Sequence, residues 1–129
     1  MSFFEQSKKI TMLILIAGPY RSGTNDDPQL MQQNLNNLEA VSLALFRKGY
    51  TPIIGEWVAL PLIRLAGSTK LGDDAWNEIQ YPVAHRLLEK CDAVFRIAGE
   101  SKGADEDVRI ATEKGLKVFY RLNDVPVLS

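Results

Sequence analysis

Hydrophobic positions follow two different periods along this chain. The run Ile10–Ala17 is continuously apolar apart from Thr11, as expected for a strand buried on both faces of a parallel sheet. Asp27-Pro28 then reads as a helix cap followed by a first-turn proline. Met31, Leu35, Leu38, Val41 and Leu45 recur at helical spacing until Gly49, with Asn34, Asn36 and Asn37 between them. Thr51–Ile54 predicts a second strand ending in Gly55-Glu56. The segment from Trp57 to Ile63 is apolar but contains Pro61, and Gly67–Gly72 is polar, which predicts a short helix followed by a mobile flap. Asp73 or Asp74 caps a further helix carrying Trp76, Ile79, Val83, Leu87 and Leu88, kinked or restarted at Pro82. Asp92–Ile97 predicts a third strand, Glu100–Gly103 a tight loop, Ala104–Lys114 a helix, and Leu116–Tyr120 a fourth strand. Strands alternating with helices predict one doubly wound α/β domain over residues 10–129, with right-handed crossovers. Residues 1–9 are expected to form a flexible N-terminal extension.

Composition narrows the chemistry. The chain has 129 residues, of which 46% are hydrophobic, enough for one domain with a real core. Fifteen basic residues balance 16 acidic ones, so no global field favours nucleic acid or an anionic membrane. Cys91 is the only cysteine and His85 the only histidine. A disulfide framework, a thiolate zinc cluster and a multi-histidine metal site are thereby excluded, and a reduced, cytoplasmic setting is expected. Lys8-Lys9 before the apolar run resembles the start of a signal peptide, but Gly18-Pro19-Tyr20-Arg21 follows in place of a cleavage site. No stretch approaches the ~20 apolar residues needed to span a bilayer.

Ligands of open parallel sheets bind beyond the carboxyl ends of the strands, where this sequence places its unusual residues. Gly18-Pro19-Tyr20-Arg21-Ser22-Gly23 combines glycines with an arginine able to grip a phosphate or carboxylate, or else forms a strand-ending turn with a solvated arginine. It matches neither the dinucleotide fingerprint nor the P-loop. Ser101, Gly103 and the free N–H groups of the following helix could hold an anion. Asp105, Glu106 and Asp107 crowd that helix's first turn, where carboxylates also complement the helix dipole. They point about 100° apart, so only one of them need face a pocket. Glu56 could bind a sugar hydroxyl or be solvated, and Tyr20 could stack on a base or close the edge of the core. His85 is expected to be exposed and inert, and apolar packing is the default for Trp57 and Trp76.

Together these loops resemble the nucleoside 2-deoxyribosyltransferase-like superfamily, which includes nucleoside 5′-monophosphate N-glycosidases. Gly18-Pro19-Tyr20 is similar to its Gly-Pro-aromatic turn. Cys91-Asp92-Ala93-Val94, then Ser101 to Asp107, Ala111, Gly115 and Val118, resembles its second signature. The resemblance implies a flavodoxin-like domain of four to five strands with helices on both faces. It implies hydrolysis or transfer at an N-glycosidic bond, with Asp107 as nucleophile and a register change promoting Asp105. Arg21 and Ser101 match phosphate-binding positions, with Gly18, Pro19, Tyr20 and Gly103 around the substrate. The sequence departs from the family at three places: Asp107 stands for a glutamate, Ala84 for a helper aspartate, and Leu15 for a tyrosine. Glu56, Asp74 or Tyr20 could carry the missing role. No metal or organic cofactor is implied, and the partners expected are a nucleotide-like small molecule and a second copy of the chain, joined through Trp57–Ile63. The alternatives are a non-catalytic nucleotide or sugar-phosphate sensor and a small interaction protein.

Overall fold

A computed structural model describes residues 11–128. The expected extension over residues 1–9 and the first residue of the first apolar run, Ile10, lie outside the described residues. Four strands form one parallel sheet: β1 (Leu13–Ala17), β2 (Thr51–Ile54), β3 (Ala93–Arg96) and β4 (Lys117–Phe119). Their spatial order is β2-β1-β3-β4, with Ile16 opposite Ile54 on one side and Phe95 on the other. Four helices connect them: α1 (Pro28–Arg47), α2 (Gly55–Leu65), α3 (Asp74–Leu88) and α4 (Lys102–Glu113). This is the flavodoxin-like arrangement expected from the sequence, with four strands among the described residues.

The period-two alternation of β1 explains the three-layer packing. Ile14 and Ile16 turn to one face, where Leu38 and Leu45 of α1 join Ile54, Phe95 and Val125. Leu15 and Ala17 turn to the other, against Leu88 of α3 and Ala104 and Ala111 of α4. Ile14, Leu15 and Ile16 are almost wholly buried. Each such side chain contributes about 1.5–3 kcal/mol relative to exposure, which makes the central strand the costliest place to truncate. A smaller cluster of Ala59, Ile63 and Trp76 joins α2 to α3.

The caps follow the sequence closely. Asp27 accepts from the Gln29 N–H at 2.9 Å with Pro28 in the first turn, and Asp73, not Asp74, caps α3 by accepting from the Trp76 N–H at 3.0 Å. Three expectations are corrected. α2 begins directly at Gly55, so Glu56 sits in a helical first turn and not on a strand-end loop. α4 begins at Lys102 with Ser101 as its cap, which moves Gly103 from a loop into the first turn. α2 and α3 both run through their internal prolines. A helix-interior proline costs roughly 3 kcal/mol, which the mutual packing of α2 and α3 in their shared cluster offsets.

The topology also fixes where a ligand can sit. The chain leaves β1 for β2 on one side, then returns past β1 to β3 on the other. The loops after β1 and β3 therefore diverge, and a crevice opens at the strands' carboxyl ends.

Candidate functional site

A cavity of about 450 Å³ occupies that crevice. Its floor is the end of β1 from Leu15 to Gly18, and Tyr20 and Arg21 form one wall. Gly55, Glu56 and Ala59 enter from the start of α2, Gln80, Tyr81 and Ala84 from α3, and Ser101 to Ala104 with Asp107 from α4. Four segments far apart in sequence thus contribute to a single concave surface.

The wall after β1 is cationic but internally balanced. Asp26 accepts two hydrogen bonds from Arg21, Nε to Oδ1 at 2.7 Å and Nη2 to Oδ2 at 3.1 Å. These bonds hold the Asp26 carboxyl below its ordinary range. The guanidinium carbon of Arg21 also lies 5.8 Å from the centre of the Trp76 ring, within cation–π distance. Gly72 gives the arginine its space: with φ at +77°, a side-chain carbon there would fall 2.7 Å from Nη1. The connecting loop is built around Thr24, which is 2% exposed and donates its hydroxyl to the Arg21 carbonyl at 2.5 Å. Asn25 and Asp26 adopt left-handed backbone, φ 51° and 60°. That region is disfavoured for residues other than glycine, at roughly 1 kcal/mol each, and asparagine and aspartate enter it most readily.

Opposite this wall, Ser101 is buried and its Oγ accepts from the Ala104 N–H at 3.1 Å, capping α4. The loop before it is clamped by Arg96, which donates to the Ile97 carbonyl, to the Gly99 carbonyl at 3.0 Å and to Asp105 Oδ1 at 2.8 Å.

Of the three crowded carboxylates, only Asp107 faces the cavity. Ala104, Asp107 and Ala111 form the buried face of α4 at helical spacing. Asp107 is 8% exposed, and its Oδ1 is shielded from solvent with no hydrogen-bond partner among the described residues. Burial pushes this carboxyl up to about 7, aided by the negative charges of Glu56 and Glu106 and opposed by Arg96. Glu56 is half-buried and is likewise pushed up to about 7 by loss of solvation, against a bond from its own backbone N–H. Burial and then Glu56 raise the Tyr20 phenol. Two coupled carboxyls thus titrate near neutrality on one cavity, the physical setting in which one is protonated while the other is charged.

Most of the expected site residues converge here: Gly18, Tyr20, Arg21, Glu56, Ser101, Gly103 and Asp107 all line the cavity. Asp105 does not. Two residues of helical rotation turn it outward, where its side chain is 71% exposed and paired with Arg96. Pro19 also departs from expectation, because its ring packs where a side chain on Gly99 would be, 2.8 Å away, and lines a small depression on the α1 side. Glu106 pairs with Arg109 on the surface, and Asp74 lies off the cavity at the start of α3. His85 is half-buried, not exposed: its ring is 6.4 Å from that of Tyr81, and Nε2 is shielded with no hydrogen-bond partner among the described residues. Trp76 packs as expected, whereas Trp57 is 40% exposed and donates to Glu39 at 2.9 Å. Sequence reasoning missed Asp26, Gln80, Tyr81 and Lys102. The four-residue spacing of Trp76, Gln80 and Ala84 marks the inward face of α3 and could have found Gln80.

Among the described residues no three metal-ligating side chains converge, and no helix is long and apolar enough to cross a membrane. No protein-family model, curated protein or solved structure matches this chain.

Proposed function

We propose that this chain hydrolyses, or transfers across, the N-glycosidic bond of a nucleoside 5′-monophosphate or related ribosylated small molecule. The observation that carries the reading is the buried Asp107 carboxylate, one oxygen unpartnered, on the same cavity as Glu56, Arg21 and Ser101. In its ionised form Asp107 attacks C1′ as the bond to the base nitrogen breaks. The departing base takes a proton, with Glu56 as the protonated neighbour able to give it. Water or a second base then attacks C1′ and releases the carboxylate, the attacking O–H or N–H giving its proton back to Glu56. Arg21 and the start of α4 hold the phosphate, and Tyr20 flanks the base. Membership of the nucleoside 2-deoxyribosyltransferase-like superfamily and a cytoplasmic setting belong to the same proposal. So does a homodimer through the outer side of α2, where Trp57, Leu62 and Leu65 are exposed while Ala59 and Ile63 are buried within the chain.

Chromatography for free base, after incubation with ribo- and deoxyribonucleoside monophosphates, tests the reading. Release from one nucleotide is expected, abolished in Asp107→Ala and weakened in Arg21→Ala. Release undiminished in Asp107→Ala overturns the nucleophile.

The bare methyl of Ala84 in the cavity wall favours a second reading, a sensor that binds the nucleotide without cleaving it. A nucleotide at 100 times its dissociation constant then stabilises the chain by about 2.7 kcal/mol. No base is released in that case.

A further inference from the structure

We infer that Asp26 is a resident counter-anion of the cavity, and that a phosphate monoester dianion displaces it from Arg21 on binding. The inference rests on the reading of Arg21 as the phosphate holder and adds a residue that sets what the site accepts.

Arg21 presents its Nε and Nη2 edge to Asp26 in the two-bond geometry that guanidinium groups use for carboxylates and phosphates alike. Of the two guanidinium edges able to take a phosphate, this one is already filled by an anion belonging to the chain, and the other end lies against Gly72. Both residues border the cavity, and their side chains are 35% and 45% exposed, open enough for a ligand to reach the pair. Arg21 does not depend on Asp26 alone for its place. The Trp76 ring lies beside it, the side-chain-free Gly72 gives it room, and its own carbonyl is held by buried Thr24. Asp26, by contrast, is carried into position on left-handed backbone at two successive non-glycine residues. Its N–H is anchored to the Thr24 hydroxyl at 3.2 Å, so the loop directs this carboxylate at the arginine and does not merely leave it nearby. A single carboxylate charge opposite one guanidinium balances it. Displacement then favours an incoming group of higher charge, and a phosphate monoester carries close to two negative charges at neutral pH. A neutral sugar gains nothing from the exchange, so Asp26 screens the cavity against ligands lacking the phosphate.

Titration of ribose 5-phosphate into 15N-labelled protein, with ribose as control, tests this at the Arg21 Nε–H signal. Asn at position 26 tolerates the same left-handed backbone, so Asp26→Asn preserves the loop while removing the charge. The expected result is binding roughly fivefold tighter in Asp26→Asn than in the natural chain, the scale of one exposed ion pair removed from competition. At saturation, the Arg21 signal of the natural chain should reach the position it takes in phosphate-bound Asp26→Asn. Equal or weaker binding in Asp26→Asn overturns the inference, because Asp26 would then be orienting Arg21. An Arg21 signal unmoved at saturation, or no binding to either protein, overturns it as well. Base release measured alongside separates the two claims. Tightening in Asp26→Asn without base release from the natural chain defeats only the glycosidase reading, and base release with no effect at position 26 defeats only the counter-anion.

Discussion

Replacing Asp107 by asparagine should stabilise the fold, and by an amount that grows with pH. In the folded chain the carboxyl is raised from 3.8 to about 7. Below pH 3.8 it is protonated in both states and costs the native state no charge. Between 3.8 and 7 the unfolded chain releases its proton while the folded chain retains it. The native state then binds more protons, so stability falls as pH rises, and the loss is complete above about 7. A tenfold displacement of a proton equilibrium corresponds to about 1.4 kcal/mol, which sets a ceiling near 4 kcal/mol for this group. Part of the displacement comes from Glu56, whose own carboxyl stays largely protonated until near pH 7, so about 2 kcal/mol is the expected net effect. Asparagine has no proton to lose. The stability of Asp107→Asn relative to the natural chain should therefore rise by about 2 kcal/mol from pH 4 to pH 8, worth roughly 6–10 °C in Tm for a domain of this size. Urea unfolding followed by tryptophan fluorescence, on both proteins across that range, measures it directly. A difference that stays flat with pH would falsify the reasoning, since the Asp107 charge would then cost the fold nothing. A difference that shrinks would mean the charge is compensated, with Arg96 the first place to look. A gain in stability accompanied by loss of base release is the pattern of a residue kept for function at the expense of the fold.

Three further outcomes follow from the same geometry. Glu56→Gln removes both the proton donor of the proposed reaction and a negative charge that raises Asp107; base release should fall, and the acid limb of the remaining profile should move down. Gly72→Ala places a side chain 2.7 Å from the Arg21 guanidinium at a backbone angle of +77°. It should destabilise by about 1–2 kcal/mol and weaken ribose 5-phosphate binding, read by thermal unfolding and calorimetry. Arg96→Ala leaves the Ile97 and Gly99 carbonyls without their donor; a loss of about 2–3 kcal/mol in urea unfolding is expected, and no loss would show the clamp on the loop to be dispensable.

What the sequence made legible was local. Asp27-Pro28, Asp73 and the apolar spacing of α1 are each decided within a few residues, so they could be read without knowing what packs against them. Pro61 and Pro82 misled because the local penalty is real but smaller than the helix-to-helix packing around Ala59, Ile63 and Trp76. The rotation of α4 lay between these cases. Ala104 and Ala111 mark an inward face that includes Asp107, yet three adjacent carboxylates at a helix start satisfy the dipole in any rotation, and that plausible local role hid the difference. Asp105 could be discarded only once Arg96, nine residues earlier on β3, was seen to reach it.

The pairing of Glu56 with Asp107 was legible only as one option beside Asp74 and Tyr20, for a reason that bears on how the site works. Nothing in the sequence relates the two positions. They face one cavity because β2 and β3 flank β1 in a register that ends all three strands at the same level, so α2 and the loop before α4 start on either side of the end of β1. The pairing also needs α3 to come close. A side-chain carbon on Gly55 would lie 3.9 Å from the Ala84 Cβ, so small residues on both helices let α3 approach the first turn of α2 just beside Glu56. The alanine that stands where the resembled family has a carboxylate thus does more than omit a charge. It forms part of the wall of the cavity that Glu56 also lines, and loss of solvent is the first cause of that carboxyl's rise to about 7. An acidic residue at position 84 would add charge to a cavity that already holds two carboxyls titrating near neutrality. On this geometry the second carboxylate of the cavity enters from α2, and the short side chain of Ala84 lies in the wall that α3 contributes.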